Sequence, residues 1–363
     1  MNRRRVQLLV MAALALAALV PTIRFSASAP LERLPARLTD QEFWKVSSDA
    51  SESGGEFHSE NLVSNELRFQ SIVPSLMKTA VPGRAYVGVG SEQNFTYIAA
   101  TRPSIAFVVD LRRGNLNLHL IYKAFFELSS NRVEFVSRLF SRPKPSGLGP
   151  GSSVSDIFAA YGKAAPSQAL YDQNLKEIKA NLTTRHGFKL SKDDLESIDF
   201  VYSNWFRYGP ELRYELTNGF GGANFPTYAD LMTTTDTEGN NRSYLASEES
   251  FAMLKDLQQR NLIIPVVGNF GGPKALRAVA AYLKQKETLV SVFYTSNVEQ
   301  YLRQDGIWEN FCKSSATFPM DDKSLFVRSA RAGFSGQREV VGANGNFNLE
   351  MAPMKKDVAD CRP

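Results

Sequence analysis

A short glycine turn and the acidic residue that follows it are the part of the sequence best suited to ligand chemistry. Gly88 and Gly90 come directly after an apolar run, and Glu92 precedes a segment of helical character. Asp110 ends the next apolar run, about 20 residues further along the chain. In nucleoside sites such glycines let a ligand approach the backbone, and such a carboxylate accepts hydrogen bonds from ribose hydroxyls. The alternative is that the glycines only serve a tight strand-to-helix turn.

Two further clusters could bind a polar ligand. Arg112 and Arg113 follow the acidic residue, and their guanidinium groups could hold a phosphate or carboxylate, or make ion pairs at the start of a helix. The segment Gly268–Gly272 precedes another predicted helix, whose free backbone N–H groups could bind an anion or a polar ligand. Asn269 would supply a hydrogen-bonding amide there. The alternative for this second cluster is a flexible glycine turn.

Two side chains could take part in proton transfer or nucleophilic attack. His119 lies on the predicted helix after Asp110, where it could act as a general base if it faced a ligand, or be a structural residue. Ser296 and Asn297 follow a later apolar run. Because no histidine partner stands in a nucleophile-elbow context, we expect one of these two residues to cap the next helix.

The elements that would position these residues alternate between apolar runs and amphipathic segments. Four apolar runs predict buried strands: Ala85–Gly90, Ile105–Asp110, Leu262–Gly268 and Leu289–Tyr294. Such strands, alternating with helices, indicate an α/β fold with a doubly wound, mostly parallel Rossmann-like sheet and helices on both faces. Tyr228–Thr234 could add one more strand. Pro265 removes a ladder donor from the third run, which does not suit a central strand.

The rest of the chain divides into an arm and one domain. Residues 30–60 are polar and predict a linker, or an arm that lies on the folded part. Residues 61–363 predict a single Rossmann-like domain with a helical insertion at about 141–226. The insertion could cover a ligand site or serve only as structural padding. Leu325–Ser329 and Phe347–Met351 predict a C-terminal antiparallel hairpin.

Residues 1–29 have the pattern of a signal peptide. The arginines Arg3–Arg5 precede the apolar run Val6–Val20, and the small-residue stretch Ser26–Ala29 follows. The run is shorter than the roughly 20 residues that span a membrane, which favours a cleaved signal. Pro30 is a poor residue directly after a cleavage site, so an uncleaved N-terminal anchor is the alternative. The sequence thus predicts an exported protein, periplasmic or extracellular, or one anchored in the membrane by its N-terminus.

Charge and cysteine content narrow the possible partners. The formal net charge is +5, but four arginines lie in the leader, which has no acidic residue. The folded part is therefore close to neutral, which argues against a nucleic-acid partner and leaves a small-molecule ligand. Three histidines, far apart in sequence, predict no metal site. In an oxidising compartment Cys312 and Cys361 could form a disulfide that links the tail to the last helix, or remain two free thiols.

The glycine turn, its helix and the acidic residue of the second strand resemble class I S-adenosylmethionine-dependent methyltransferases. The resemblance covers roughly residues 84–130 and, by the order of elements alone, 228–330. It implies S-adenosylmethionine as cofactor, with these binding residues: Gly88, Gly90, Glu92, Asp110 and Arg112. In that family the loop after the fourth strand faces the methyl group, so the resemblance makes Asn269 the leading candidate for the reacting centre, with His119 as a second catalytic candidate.

Two functions follow from these observations. The first is an enzyme-type domain that binds S-adenosylmethionine or a related nucleoside-like ligand and transfers a methyl group to a small acceptor. The second is a non-catalytic extracytoplasmic ligand-binding or interaction protein with a degenerate Rossmann-like domain. Gln93-Asn94 stands where such loops have a third glycine, and no Asn-Pro-Pro-Tyr-like tetrapeptide follows the later strand. These departures and the leader favour the second.

Overall fold

The four predicted apolar runs form strands of a seven-stranded sheet. The computed structural model describes residues 33–214, 225–331, 339–344 and 347–361. Its strands are β1 (Ala85–Gly88), β2 (Ile105–Asp110), β3 (Ile263–Val267), β4 (Val290–Ser296), β5 (Leu325–Arg331), β6 (Glu339–Asn344) and β7 (Phe347–Pro353). Every residue of the first three strands is buried, which explains why they are apolar on both faces.

The strand order is β3-β2-β1-β4-β5-β7-β6. Neighbours from β3 to β5 are parallel, whereas β7 runs antiparallel to both β5 and β6. The predicted α/β fold is confirmed. The two strands predicted for the closing antiparallel hairpin are β5 and β7, which do pair antiparallel, and β6, which the sequence did not predict, lies between them in the chain and pairs with β7. After β1 the chain forms β2 and β3 on one side of it, and it then forms β4 on the other side. A crevice therefore opens between the carboxyl ends of β1 and β4.

Fourteen helices surround the sheet in the described part of the chain. They are α1 (Asp40–Ala50), α2 (Val73–Thr79), α3 (Gln93–Thr101), α4 (Arg113–Leu128), α5 (Arg132–Phe140), α6 (Val154–Lys163), α7 (Gln168–Ala180), α8 (Lys192–Tyr208), α9 (Tyr228–Thr233), α10 (Glu248–Gln259), α11 (Ala275–Gln285), α12 (Val298–Gln304), α13 (Trp308–Ser315) and α14 (Met354–Asp357). None of the helices in these described ranges is long and apolar enough to cross a membrane. The predicted leader, 1–29, lies outside the described residues.

One predicted strand is wrong. Tyr228–Thr234 forms helix α9, because Thr227 and Asp230 make a capping box in which each side chain accepts a backbone hydrogen bond from the other residue. This local capping outweighs the β-propensity of the aromatic and threonine residues. Helices α6 to α8 fall within the predicted insertion, of which residues 215–224 lie outside the described part.

Pro265 is accommodated because β3 is the edge strand of the sheet. Its carbonyl accepts a hydrogen bond from the Ser47 hydroxyl of α1, at 2.6 Å. The residues after α1 also bind the free edge of β3. The backbone N–H of Glu52 donates to the Val267 carbonyl at 2.8 Å, and the backbone N–H of Val267 donates to the Ser51 hydroxyl oxygen at 3.0 Å. The polar segment before residue 60 is therefore an arm that lies on the sheet edge.

Helix α4 is almost entirely buried, so its polar side chains need partners inside the protein. Lys123 Nζ lies 2.8 Å from Glu127 Oε1 and also donates to Asn261 Oδ1. His186 bridges two carboxylates, with Nε2 at 2.7 Å from Glu127 Oε2 and Nδ1 at 2.6 Å from Asp40 Oδ1. This buried network ties α4 to α1 and to the turn after α7.

We expect Glu127→Gln to cost about 3–5 kcal/mol of unfolding free energy at pH 7, because it leaves Lys123 buried without its counter-charge. Burial raises the pKa of Glu127, but the His186 hydrogen bond and the Lys123 charge outweigh it and lower the pKa to about 2. A carboxylate with a depressed folded-state pKa stabilises above its unfolded pKa, so this contribution declines as pH falls from about 4.5 towards 2. Urea unfolding at pH 7 and pH 4 measures both effects.

The matched control is Glu196→Gln, which breaks an exposed ion pair with Lys192 whose side chains are 62% and 87% exposed. We expect a change below about 0.5 kcal/mol from that variant. Equal losses in the two variants would show that the buried network does not stabilise the fold.

Cys312 of α13 and Cys361 of the tail form a disulfide, with Cα atoms 5.2 Å apart. The predicted link between the tail and the last large helix is thus present in the structure. The bond closes a loop with a sequence separation of 49 residues. It holds the chain after β7 against a helix that packs beside β4.

Replacing both cysteines with serine is expected to lower the unfolding free energy by about 4 kcal/mol, the loop-closure entropy of a ring of this size. Urea unfolding of the double variant is compared with that of the wild type with and without a reductant. The reduced wild type should match the variant. A wild type indifferent to reduction would mean that the thiols are unpaired in solution.

Candidate ligand-binding site

A cavity of about 220 Å³ lies at the carboxyl ends of β1, β2, β3 and β4. The strand ends contribute Val89–Ser91, Asp110–Arg112, Gly268–Phe270 and Ser296–Val298. The arm adds Glu56 and Phe57, and the segment directly after it adds Asn61 and Val63–Asn65. The remaining wall consists of Gln93, Tyr214, Tyr301, Leu302 and Asp305. The cavity occupies the crevice where the strand order reverses, which is the usual ligand site of open α/β sheets.

Four of the seven predicted site residues line this cavity. They are Gly90, Asp110, Arg112 and Asn269, from three different strand ends. Gly88, Glu92 and His119 do not line it, and each has a contact within the protein that explains its residue type. Four residues chosen from the sequence therefore meet at one cavity, and the other three make contacts within the protein around it.

Asp110 and Arg112 form a local pair. The backbone N–H of Arg112 donates to Asp110 Oδ1 at 2.9 Å, and its Nε lies 3.3 Å from the same oxygen. Arg112 Nη1 donates to the Glu60 carbonyl of the arm. Asp110 Oδ2 accepts no hydrogen bond from any described residue, so it remains an acceptor on a cavity-lining side chain. Arg112 Nη2 is buried and likewise has no hydrogen-bond partner in the described part.

The two glycines of the turn have different roles. Gly90 has φ +84°, a backbone conformation that favours glycine, and it lines the cavity. A Cβ atom on Gly88 would lie 2.0 Å from Asn94 Oδ1 and 2.7 Å from the Tyr86 hydroxyl oxygen. Asn94 also donates to the carbonyls of Val89 and Ser91 at 2.9 and 2.8 Å. Gly88 is therefore required by the packing of Asn94, which with Gln93 stands where such loops have a third glycine.

Glu92 and His119 support the turn from inside the protein. Glu92 Oε1 accepts a hydrogen bond from the Ser64 backbone at 3.1 Å, and burial raises the pKa of Glu92 to about 7. His119 Nε2 lies 2.9 Å from the Gly90 carbonyl oxygen, and burial lowers the pKa of His119 to about 4. A neutral imidazole donates to that carbonyl at physiological pH. In this structure His119 positions Gly90, and it does not face the cavity as a general base would.

The predicted anion site at the start of α11 is filled by the protein itself. Glu52 Oε1 accepts hydrogen bonds from the backbones of Lys274 and Ala275, both at 2.9 Å, and Oε2 accepts one from Asn269 at 3.1 Å. The Asn269 side-chain oxygen accepts from Gly271 N at 2.8 Å within its own loop. The carboxylate of the arm thus takes the place that a ligand anion would have.

A pair that the sequence did not reveal lies beside the cavity. Ser296 Oγ donates to Glu66 Oε1 at 2.6 Å, and the Tyr294 hydroxyl donates to the same oxygen at 3.0 Å. Asn297 occupies the N-cap position of α12, as expected for one of these two residues, but its side chain makes no capping hydrogen bond. Glu66 is 230 residues away in sequence, and no local pattern marks it.

The comparisons with known proteins give a family but no activity. A family model for a domain of unknown function matches residues 61–145 and 153–358. A search of the curated proteins found no match. The matched residues contain all four strand ends that line the cavity, while Glu52 and Glu56 of the arm lie outside them.

Gly88→Ala is expected to destabilise the protein by about 1–3 kcal/mol, because the added methyl group displaces Asn94. The matched control is Gly162→Ala in α6, where a Cβ would meet nothing within 4 Å and alanine favours the helix. Thermal unfolding of both variants, without ligand, measures the difference. If Gly88→Ala were as stable as the wild type, the packing role of Gly88 would be refuted, and its role as a ligand-binding residue would again have to be tested.

Proposed function

The chain belongs to this family, DUF7790, and from its candidate site we propose that it binds S-adenosylmethionine or a related nucleoside-like compound and transfers a methyl group to a small acceptor. The observation that carries the proposal is Asp110, with its free oxygen Oδ2, at the end of β2 beside the Gly90 backbone. A carboxylate in this place is suited to accept both hydroxyl hydrogens of a ribose.

The charges around the cavity favour a cation over a phosphate. Three carboxylates line it, those of Glu56, Asp110 and Asp305, against one guanidinium, that of Arg112. The helix start that could have held a phosphate is occupied by Glu52. A nucleotide would therefore bring its negative charges among carboxylates, whereas the positive sulfonium of S-adenosylmethionine is attracted to them.

The apolar part of the wall suits a nucleobase. Phe57, Tyr214, Phe270 and Tyr301 all line the cavity, and the rings of Phe57 and Tyr301 make an edge contact with centroids 5.3 Å apart. Aromatic rings bind flat heterocycles through stacked or edge contacts. The amides of Asn61, Asn65 and Asn269 add hydrogen-bonding groups around these rings.

The size of the cavity sets a condition on this proposal. At about 220 Å³ it is smaller than the roughly 300–1,000 Å³ of typical ligand pockets. The stretch of the arm between Glu52 and Glu60 is the wall that can yield, because the described backbone hydrogen bond that holds it to the end of β2 is the one from Gly55 N to the Leu111 carbonyl, at 2.9 Å. Binding of an adenosyl compound would then move the arm outward. Bound S-adenosylmethionine would supply an electrophilic methyl group, and the protein residues would orient it and its acceptor.

A second candidate is a non-catalytic extracytoplasmic ligand-binding protein. The observation that favours it is the Cys312–Cys361 disulfide, since disulfides persist mainly in oxidising compartments, whereas S-adenosylmethionine is made in the cytoplasm. We propose export for the same reason, directed by the leader at 1–29. Under this second function, the cavity would hold a small polyhydroxylated or cationic ligand without chemistry.

Calorimetric titration of the purified protein with S-adenosylmethionine and S-adenosylhomocysteine tests the first function. We expect saturable binding that weakens about tenfold or more in Asp110→Asn, which keeps the shape of the side chain but removes the charged acceptor. Asp193→Asn, at an exposed position of α8, is the control and should bind as the wild type does. Absence of heat with both compounds would refute the adenosyl site and leave the second candidate.

A further inference from the structure

Ser296 has an unusual backbone for a serine. Its φ is +49°, in the left-handed region, although it is not a glycine. The register between β4 and β5 also shifts at this point, between Tyr294 and Ser296. Such strain and such bulges are concentrated at functional sites, where they aim a side chain that regular strand geometry would place elsewhere. Ser296 lines the cavity, at the carboxyl end of β4.

Glu66 is buried, with only 4% of its surface exposed, and hydroxyl groups face it. They are Ser296 and Tyr294 at hydrogen-bond distance, and Ser329 of β5, which also lowers its pKa. The buried phenols of Tyr86 and Tyr97 lie further away, and burial raises their pKa values well above the usual range. These groups stay neutral at physiological pH, so in the described part of the chain it is hydroxyl dipoles that stabilise a charge on Glu66.

The charged groups on the neighbouring elements are already engaged. Arg328 is the β5 partner of Ser296 in the sheet register, and its guanidinium pairs with Glu299 of α12 and with Asp357 of α14 at 2.7 Å. Burial is the largest influence on Glu66 and raises its pKa above the ordinary value. A carboxylate in this environment is a stronger base than one in water.

We propose that Ser296 is a reactive hydroxyl of the cavity, and that Glu66 is the base that takes its proton when a hydroxyl- or amine-bearing ligand binds. The proton of the ligand O–H or N–H moves to Ser296 Oγ as the Oγ proton moves to Glu66 Oε1. The ligand atom becomes a nucleophile, the carboxylate becomes a carboxylic acid, and nothing is oxidised or reduced. This rests on the cavity being a ligand site, but not on the ligand being an adenosyl compound.

The test uses phenylmethylsulfonyl fluoride on the full chain, read out by peptide mass spectrometry. Serine Oγ attacks the sulfur, the S–F bond breaks, fluoride leaves, and the Oγ proton passes to Glu66, so the labelling rate reports the same proton transfer. We expect a sulfonyl adduct on Ser296, and a rate that falls about a hundredfold in Glu66→Gln. In the wild type the rate should rise with pH as Glu66 ionises and then level off.

Ser203→Ala is the matched control. Ser203 lies in α8, does not line the cavity, and donates its hydroxyl hydrogen to the Phe200 carbonyl of the same helix at 2.8 Å, so we expect its loss to leave labelling of Ser296 unchanged. Circular dichroism checks that each variant is folded. If Glu66→Gln does not fold, the pH dependence of labelling in the wild type tests the proposal by itself. No adduct on Ser296, or a rate indifferent to Glu66 or to pH, overturns the proposal. Either result is independent of whether S-adenosylmethionine binds.

Discussion

The attachment of the N-terminal arm to the edge of the sheet is the constraint on which the candidate site depends. Three backbone N–H groups around the start of α11 point to the Glu52 carboxylate, and the Glu52 backbone donates to Val267 of β3. Without this anchor β3 would be an open sheet edge, and the cavity would lack the wall from Glu56 to Asn65. The arm that Glu52 anchors therefore covers an edge strand and closes the cavity.

The interior of α4 connects the core to the cavity. Lys123 and Glu127 satisfy each other at one end of the helix, while His119, one turn earlier, donates to the Gly90 carbonyl. A buried helix tolerates these groups only because each has a partner, so its position relative to β1 is tightly specified. The conformation of the glycine turn is thus set by the core behind it.

Local patterns in the sequence were sufficient for the sheet and for part of the site. Continuous apolar runs predicted strands β1 to β4. Because parallel strands bring their carboxyl ends to one edge of the sheet, Gly90, Asp110 and Asn269 were expected together. Glu52 and Glu66 could not be found in this way, since their partners are 217 to 230 residues distant. The α9 segment was expected to be a strand because of its β-propensity, but a capping interaction between two residues outweighs that propensity and makes it a helix.

The distribution of carboxylates links the proposed ligand to the proposed chemistry. Glu56, Asp110 and Asp305 line the cavity, and Glu66 lies behind Ser296, where none of the described side chains that shift its pKa is a cation. A positively charged ligand would stabilise the ionised form of Glu66 by Coulomb attraction and so keep it competent to accept a proton. A neutral ligand would leave the buried carboxyl protonated over a wider pH range. The charge of the bound ligand would therefore influence whether Glu66 is ionised and able to accept the Ser296 proton.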